Sequence, residues 1–332
     1  MRMQPSTDQR ELIESVSGPV AEILPLERLH KSADGERARL GGLAELGALA
    51  IALGEDHGGA GLTATEEALL FEQLGRQLAS PSVLASVLAA HIAAFQGDGN
   101  KAGAIAAGAE PVALAVPGAS GALLIDAGEA PAHVVLMGPD GPTLHAGDAL
   151  SGRKLLDDTM WALPLEEAVL SGPGAKGDNR LATRARLLCA AQLAGIAGRA
   201  RDMAVEYAKL REQFGKPIGS FQATKHHCAN MAIWAMAAAD QMSFAGVALA
   251  DGRDDAAFQA LSALSMAIRA ARSNAGTNIQ VHGGIGFSDE ADPHLLLKAA
   301  HLWETIAGGE EAVHVALLAE ESPLGAAASA RH

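Results

Sequence analysis

From Arg180 to Ala250 apolar residues recur at helical spacing with one break, Phe214-Gly-Lys-Pro217, and that break dictates how the C-terminal half folds. Pro217 lacks an amide hydrogen and has a fixed φ, and Gly215 permits a turn, so a helix running from Arg180 to Leu210 must stop and reverse there. Ser220 is placed to cap the next helix, which runs through Met231, Ile233 and Met236 to about Ala250. A third series from Asp255 carries Leu261, Leu264, Ile268 and Ala271 toward Gln280, and a shorter fourth follows Pro293. Four Ala-rich helices of this kind pack as a bundle. Aromatic residues make up only 3% of the 332, so Ala, Leu, Val and Ile must fill the interior, which suits close helix packing.

The first hundred residues are also helical in pattern, with apolar spacings of three and four in Leu12, Ile13, Val16, in Leu40, Leu43, Leu46 and in Leu69, Leu70, Leu74. Between about 110 and 175 the texture changes. Pro111–Val116, Ala122–Ile125 and His133–Met137 are short apolar runs separated by Pro, Gly and Asp, which predicts strands and turns. Gly172-Pro-Gly-Ala-Lys-Gly177 reads as a linker. The expected fold is mostly α with a small β domain: a helical domain over 1–108, a reduced β domain over 109–177 and a helical bundle over 178–332.

The formal charge is −14, with 39 acidic residues against 25 basic ones and no basic stripe, which argues against nucleic acid as a partner. No segment combines a basic start with an apolar run, and none reaches about 18 uninterrupted apolar residues, so a cytoplasmic protein without membrane attachment is expected. Cys189 and Cys228 sit in apolar helical patterns and read as small core residues. His226-His227 reads as ordinary helix-start imidazoles, and no metal site is expected.

Two stretches of the C-terminal half carry different chemistry, Arg211-Glu-Gln-Phe-Gly-Lys-Pro-Ile-Gly-Ser-Phe-Gln222 and Gln280-Val-His-Gly-Gly-Ile-Gly-Phe287. Arg211 offers a planar fork suited to phosphate, and Phe214 an aromatic face. Gln222 and Gln280 offer amides for the edge of a heterocycle, and Gly283, Gly284 and Gly286 permit close backbone approach. Singly, each has a plainer reading: the first stretch ends one helix and starts another, and a Gly-Gly-x-Gly run is commonly a helix C-cap. Together they supply the parts needed for a dinucleotide's pyrophosphate and adenine.

With these motifs the chain resembles, end to end, the acyl-CoA dehydrogenase family, FAD-dependent enzymes that desaturate acyl-CoA thioesters between the α and β carbons. Leu43-Ala-Glu-Leu-Gly47, Gly54-Glu-Asp-His-Gly-Gly-Ala-Gly-Leu62 and Glu72-Gln-Leu-Gly-Arg76 resemble the family's first helical domain. Residues 186–231 align without a gap with its long C-terminal hairpin, putting Gly195, Tyr207, Arg211, Phe214, Gly215, Gln222 and Met231 on family positions. The resemblance implies FAD as cofactor, an acyl-CoA substrate and the family's order of helical, β and bundle domains.

Such chemistry needs a carboxylate to remove the α-proton while the flavin takes a hydride from the β-carbon. The resemblance puts that base at one of two positions, and here they hold Ala307, in Trp303-Glu-Thr-Ile-Ala-Gly-Gly309, and Ala185, directly before Arg186. The family's loops that cup the flavin ring are also missing between 110 and 175, and the Thr and Gln or Glu that follow the catalytic turn are Gly309 and Glu311. Arg186 matches a position that contacts the CoA adenine end, but its accompanying Asp is Thr183, which implies a vestigial CoA site. In family tetramers one subunit supplies ring loops and base, and its neighbour the Arg-x-x-Phe-Gly turn, the Gln and the Gly-Gly-x-Gly segment. A chain that keeps the donated half alone resembles the companion subunit of heterotetrameric α2β2 acyl-CoA dehydrogenases of bacterial steroid catabolism. Two other readings stay open: a homotetramer with its base relocated to Glu304, with Glu310 and Glu311 just beyond, and a flavin-free scaffold or acyl-CoA-binding module.

Overall fold

The computed structural model describes residues 5–30, 36–118, 121–125, 131–147, 153–154, 160–164 and 174–321. Helix starts in the N-terminal part follow local side-chain chemistry. Ser6 and Gln9 form a reciprocal capping box at α1 (Thr7–Ile23), and Thr63 and Glu66 form another at α3 (Ala64–Arg76). Between them lies α2 (Glu36–Glu45). Ser80 caps α4 (Pro81–Phe95), which begins on proline, and Asp98 caps α5 (Gly99–Ala106). The predicted apolar faces turn inward: Val16, Leu40, Leu43, Leu69, Leu70 and Leu74 are buried.

Seven described strands form one sheet: β1 (Val112–Gly118), β2 (Gly121–Ile125), β3 (His133–Gly138), β4 (Gly141–Ala146), β5 (Arg153–Lys154), β6 (Met160–Pro164) and β7 (Ala175–Lys176). Their order is β5-β6-β2-β1-β3-β4-β7, with β1 and β3 parallel and the other described pairs antiparallel. The three predicted strands coincide with β1, β2 and β3. The predicted linker is corrected in part, because Ala175 and Lys176 pair with Leu144 and Thr143. The outer edge of β4 presents open backbone groups, and even two residues of passing chain pair with them. The expected loss of the ring loops falls mainly on residues 119–120, 126–130, 148–152, 155–159 and 165–173, which lie outside the described residues.

The C-terminal part is built on α6 (Leu181–Leu210), α7 (Gln222–Ala250), α8 (Ala256–His282), α9 (Pro293–Ile306) and α10 (Glu310–Ala319). α7 returns antiparallel, and α6 and α8 run side by side in the same direction. The fully buried Asn274 on α8 ties all three, donating to the carbonyls of Ala197 at 3.0 Å and Met231 at 2.9 Å. Glycines let α3 and α6 touch backbone to backbone: a Cβ on Gly75 would stand 2.2 Å from the Gln192 carbonyl oxygen, and one on Gly195 would stand 2.1 Å from that of Glu72. Ser220 does not cap α7 as expected. Its hydroxyl donates instead to the Pro217 carbonyl at 2.7 Å, because the helix begins one residue later, after Phe221. α7 has the length and apolar character of a membrane-spanning helix, yet its second half buries Ala238, Met242, Ala245, Ala248 and Leu249 within the bundle.

Candidate functional site

α6 ends where Arg211 turns extended, its amide still bonded to the Tyr207 carbonyl at 2.8 Å. A short hairpin follows, Glu212–Gln213 (β8) pairing with Lys216–Pro217 (β9), and its two central residues, Phe214 and Gly215, have φ of 54° and 75°. A two-residue hairpin loop of type I′ requires positive φ at both places. Phenylalanine held there costs roughly 1–3 kcal/mol of backbone strain, and its ring is 90% exposed, meeting Phe221 edge-on at 6.1 Å. Among the described residues that edge contact is the one ring contact Phe214 makes.

The Arg211 side chain makes no hydrogen bond or ion pair among the described residues. With Tyr207, Gln213, Ile218 and the turn over 281–285 it lines a shallow concavity of about 370 Å³. Gly283 closes α8 at φ 66°, ψ −142°, a conformation that glycine alone adopts readily, and sends its amide back to the Ile279 and Gln280 carbonyls. Gly284 has open space where a Cβ would project, whereas a Cβ on the buried Gly286 would stand 2.8 Å from the Ile279 carbonyl oxygen. The structure therefore brings Arg211, Gly283 and Gly284 together. Gly286 serves packing, and neither Phe214 nor the exposed Gln222 and Gln280 line this concavity.

At the other end of α6, about 40 Å away along the helix, Ala182, Ala185, Arg186 and Cys189 wall a cavity of about 660 Å³. Leu261 and Leu264 of α8, the turn through Ala307 to Gly309, and the β3–β4 turn close it. Both base positions, Ala185 and Ala307, face this space, and its described lining contains no carboxylate. Burial lowers the pKa of Arg186 against an opposing pull from Glu320. Burial pushes the Cys189 thiol up to about 12, which leaves it protonated and inert near neutral pH. Thr183 is buried. Glu304 does not line the cavity: its carboxylate lies 3.1 Å from Arg272, which also meets Glu310 at 3.0 Å. Glu311 is exposed.

Two arrangements escaped the sequence reading. Glu67 is buried between Arg184 and His91, residues 117 and 24 positions away, so no local pattern announces the cluster. Its burial pushes the carboxyl pKa up, but the charges and hydrogen bonds of Arg184 and His91 outweigh that and hold it below its ordinary value. The second is a stack of Tyr207 on His282, ring centroids 4.0 Å apart at 23°, with the His282 Nδ1 2.8 Å from the Asn278 carbonyl oxygen. Its one signal in the sequence is a histidine set directly before the glycine run.

A family model for the acyl-CoA dehydrogenase N-terminal domain matches residues 6–102, and one for the acyl-CoA dehydrogenase C-terminal domain matches residues 174–322. The acyl-CoA dehydrogenase IpdE2 of Mycobacterium tuberculosis is 33% identical over 272 residues, covering 77% of this chain and 78% of IpdE2. The acyl-CoA dehydrogenase FadE34 of the same organism is 36% identical over 287 residues, which cover 81% of this chain and 40% of FadE34. The chain thus spans about two fifths of FadE34. Among solved structures, the ChsE4-ChsE5 complex from M. tuberculosis matches with a TM-score of 0.78 at 23% identity, covering 97% of this chain and 100% of that one. The G363A variant of the Tcur3481-Tcur3483 steroid acyl-CoA dehydrogenase matches with a TM-score of 0.77 at 24% identity, covering 93% and 96%. The chain belongs to the acyl-CoA dehydrogenase family, and these solved structures share its fold.

Proposed function

We propose that this chain is the companion subunit of an FAD-dependent acyl-CoA dehydrogenase in an α2β2 assembly, working in the cytoplasm on an acyl-CoA thioester of the steroid-CoA type. It donates a half-site for the FAD pyrophosphate and adenine, centred on Arg211, Gly283 and Gly284, with the exposed Phe214, Gln222 and Gln280 outside that concavity left for the rest of the cofactor, to a catalytic partner that carries the base. The observation that carries this reading is the contrast along α6. Ala185 and Ala307 face one cavity whose described lining holds no carboxylate, while Arg211 at the far end has no hydrogen-bond or ion-pair partner among the described residues. A guanidinium without a partner among the described residues, beside a glycine turn with open space, suits phosphate, and the concavity of about 370 Å³ is where the pyrophosphate would lie.

Once bound, the flavin would supply an acceptor for the hydride from the substrate's β-carbon. This chain's residues hold its phosphates and leave proton removal to the partner, since a general base contributes ~10²–10⁴-fold and alanine supplies none. Phe214, Ile285 and Phe287 near the half-site, with Ile233 and Met236 on α7, are large apolar side chains exposed on this chain, which favours a second protein covering them. Two-chain names among the solved relatives, ChsE4-ChsE5 and Tcur3481-Tcur3483, point the same way. The engagement of Glu304 with Arg272 counts against a relocated base, and the free Arg211 against a flavin-free scaffold. Arg186 is read as the remnant of a CoA contact.

Co-expression with the catalytic partner, followed by denaturing release and counting of flavin, tests the proposal. Two FAD per four chains are expected, with this chain colourless when purified alone. A complex without flavin would overturn the reading, and four FAD would mean that this chain builds a complete site of its own.

A further inference from the structure

The stacked pair of Tyr207 and His282 faces the same concavity as Arg211, and the half-site as described gives it no role. Three features fix what it presents. The stack and the Nδ1 bond to the Asn278 carbonyl lock the ring's orientation. Because Nδ1–H is the donor in that bond, the neutral imidazole carries its lone pair on Nε2. Burial lowers the His282 pKa, with the Asn278 bond opposing, so the neutral form prevails near pH 7. Neither Nε2 nor the Tyr207 hydroxyl has a hydrogen-bond partner among the described residues.

The positions complete the argument. Arg211 follows Tyr207 by one helical turn, so the two side chains share a face at the end of α6. His282 directly precedes Gly283 and Gly284, which border the concavity without side chains. A ligand whose phosphate sits on the Arg211 fork therefore lays its neighbouring group against His282. An acceptor there calls for a donor, and the nucleoside side of a dinucleotide offers two, the adenine amino group and the ribose hydroxyls.

We propose that His282 is a positioning residue of the half-site, its Nε2 accepting a hydrogen bond from the nucleoside end of the bound dinucleotide while Tyr207 holds the ring in place. This rests on the reading that Arg211 binds the pyrophosphate. In the plainer alternative the stack merely fastens the end of α6 to α8.

The test uses the assembled complex stripped of flavin, with FAD affinity read from flavin fluorescence and thermal stability read in parallel. His282→Phe keeps an aromatic ring for the stack and removes the acceptor, and it should weaken FAD about three- to tenfold at unchanged melting temperature. His282→Gln, whose amide oxygen can accept, should recover part of that loss, which a purely packing role would not allow. Competition by ADP and by inosine diphosphate distinguishes the donors. If wild type prefers ADP and His282→Phe loses the preference, the adenine amino group is the donor, and if both compete equally the ribose hydroxyl is. Wild-type FAD affinity in His282→Phe, with Arg211→Ala weakened, would overturn this inference alone. If Arg211→Ala is also unchanged, the half-site reading itself fails.

Discussion

Arg184 and Arg211 stand near opposite ends of one 30-residue helix, and their surroundings differ completely. Arg184 meets the carboxylate of Glu67, which is 1% exposed and also bonded to His91 at 3.2 Å, so its charge is neutralised inside the chain and its end of α6 is fastened to α3 and α4. Arg211 has no such partner among the described residues, in a chain with 39 acidic residues and a net charge of −14. Within one helix the same residue type thus serves the fold at one end and, in the reading proposed above, a ligand at the other.

The largest effect should come from breaking the paired end. Arg184→Ala leaves Glu67 buried without its main counter-charge, and loss of one partner of a buried pair costs about 3–5 kcal/mol. Denaturant unfolding should show that loss, and a stability change below about 1 kcal/mol would erase the distinction between the two arginines. The acid limb sharpens the same point. Glu67 has a folded pKa below its ordinary value of 4.5, so it contributes stability that is fully present above the unfolded value and is lost as pH falls through the lowered folded one. Glu67→Gln should therefore unfold with a flatter pH dependence than wild type below about pH 4.5.

Arg211→Ala should shift the effect from folding to binding. It removes a charge-assisted contact of about 1.5–3 kcal/mol with phosphate, so FAD affinity of the assembled complex should fall by about tenfold or more. Melting temperature and assembly should stay near wild type, because the side chain makes no hydrogen bond or ion pair among the described residues. Unchanged flavin occupancy in the purified variant would remove the contrast from the binding side.

How far these ends could be read from the sequence depends on the range of the forces involved. The hairpin between α6 and α7 was legible because Gly215 and Pro217 act on their own backbone. The helices were legible because their apolar spacing is local, and β1 to β3 because short apolar runs lie between turn residues. Ser220 was misread because a hydroxyl near a helix start has several carbonyls and amides in reach, and the choice depends on where the chain turns. Gly286 was grouped with Gly283 and Gly284 because a sequence does not say which face of a turn meets the helix behind it. Glu67, Arg184 and His91 come together only when α3, α4 and α6 pack, as do Tyr207 and His282 when α6 and α8 lie side by side. The family resemblance gives Ala185 and Ala307 as the two base positions, but that both wall one cavity depends on how α6 packs against the turn after α9, which spacing alone does not predict.

The smallest effect is expected at Glu304, where the two ends of α6 give way to a third place for a carboxylate. Its side chain is 16% exposed, is held by Arg272 and points to no described part of the cavity lining. Glu304→Gln keeps the shape and removes one charge from a partly exposed pair, and Arg272 retains Glu310 at 3.0 Å, so the stability cost should stay within about 1 kcal/mol. Turnover by the assembled complex should be nearly that of wild type, since the working base is assigned to the partner. A working base at Glu304 would instead make the same substitution cost ~10²–10⁴-fold in rate. Measured turnover with flavin occupancy checked in the same sample separates the two outcomes, and a loss beyond about a hundredfold with flavin still bound would return the catalytic base to this chain.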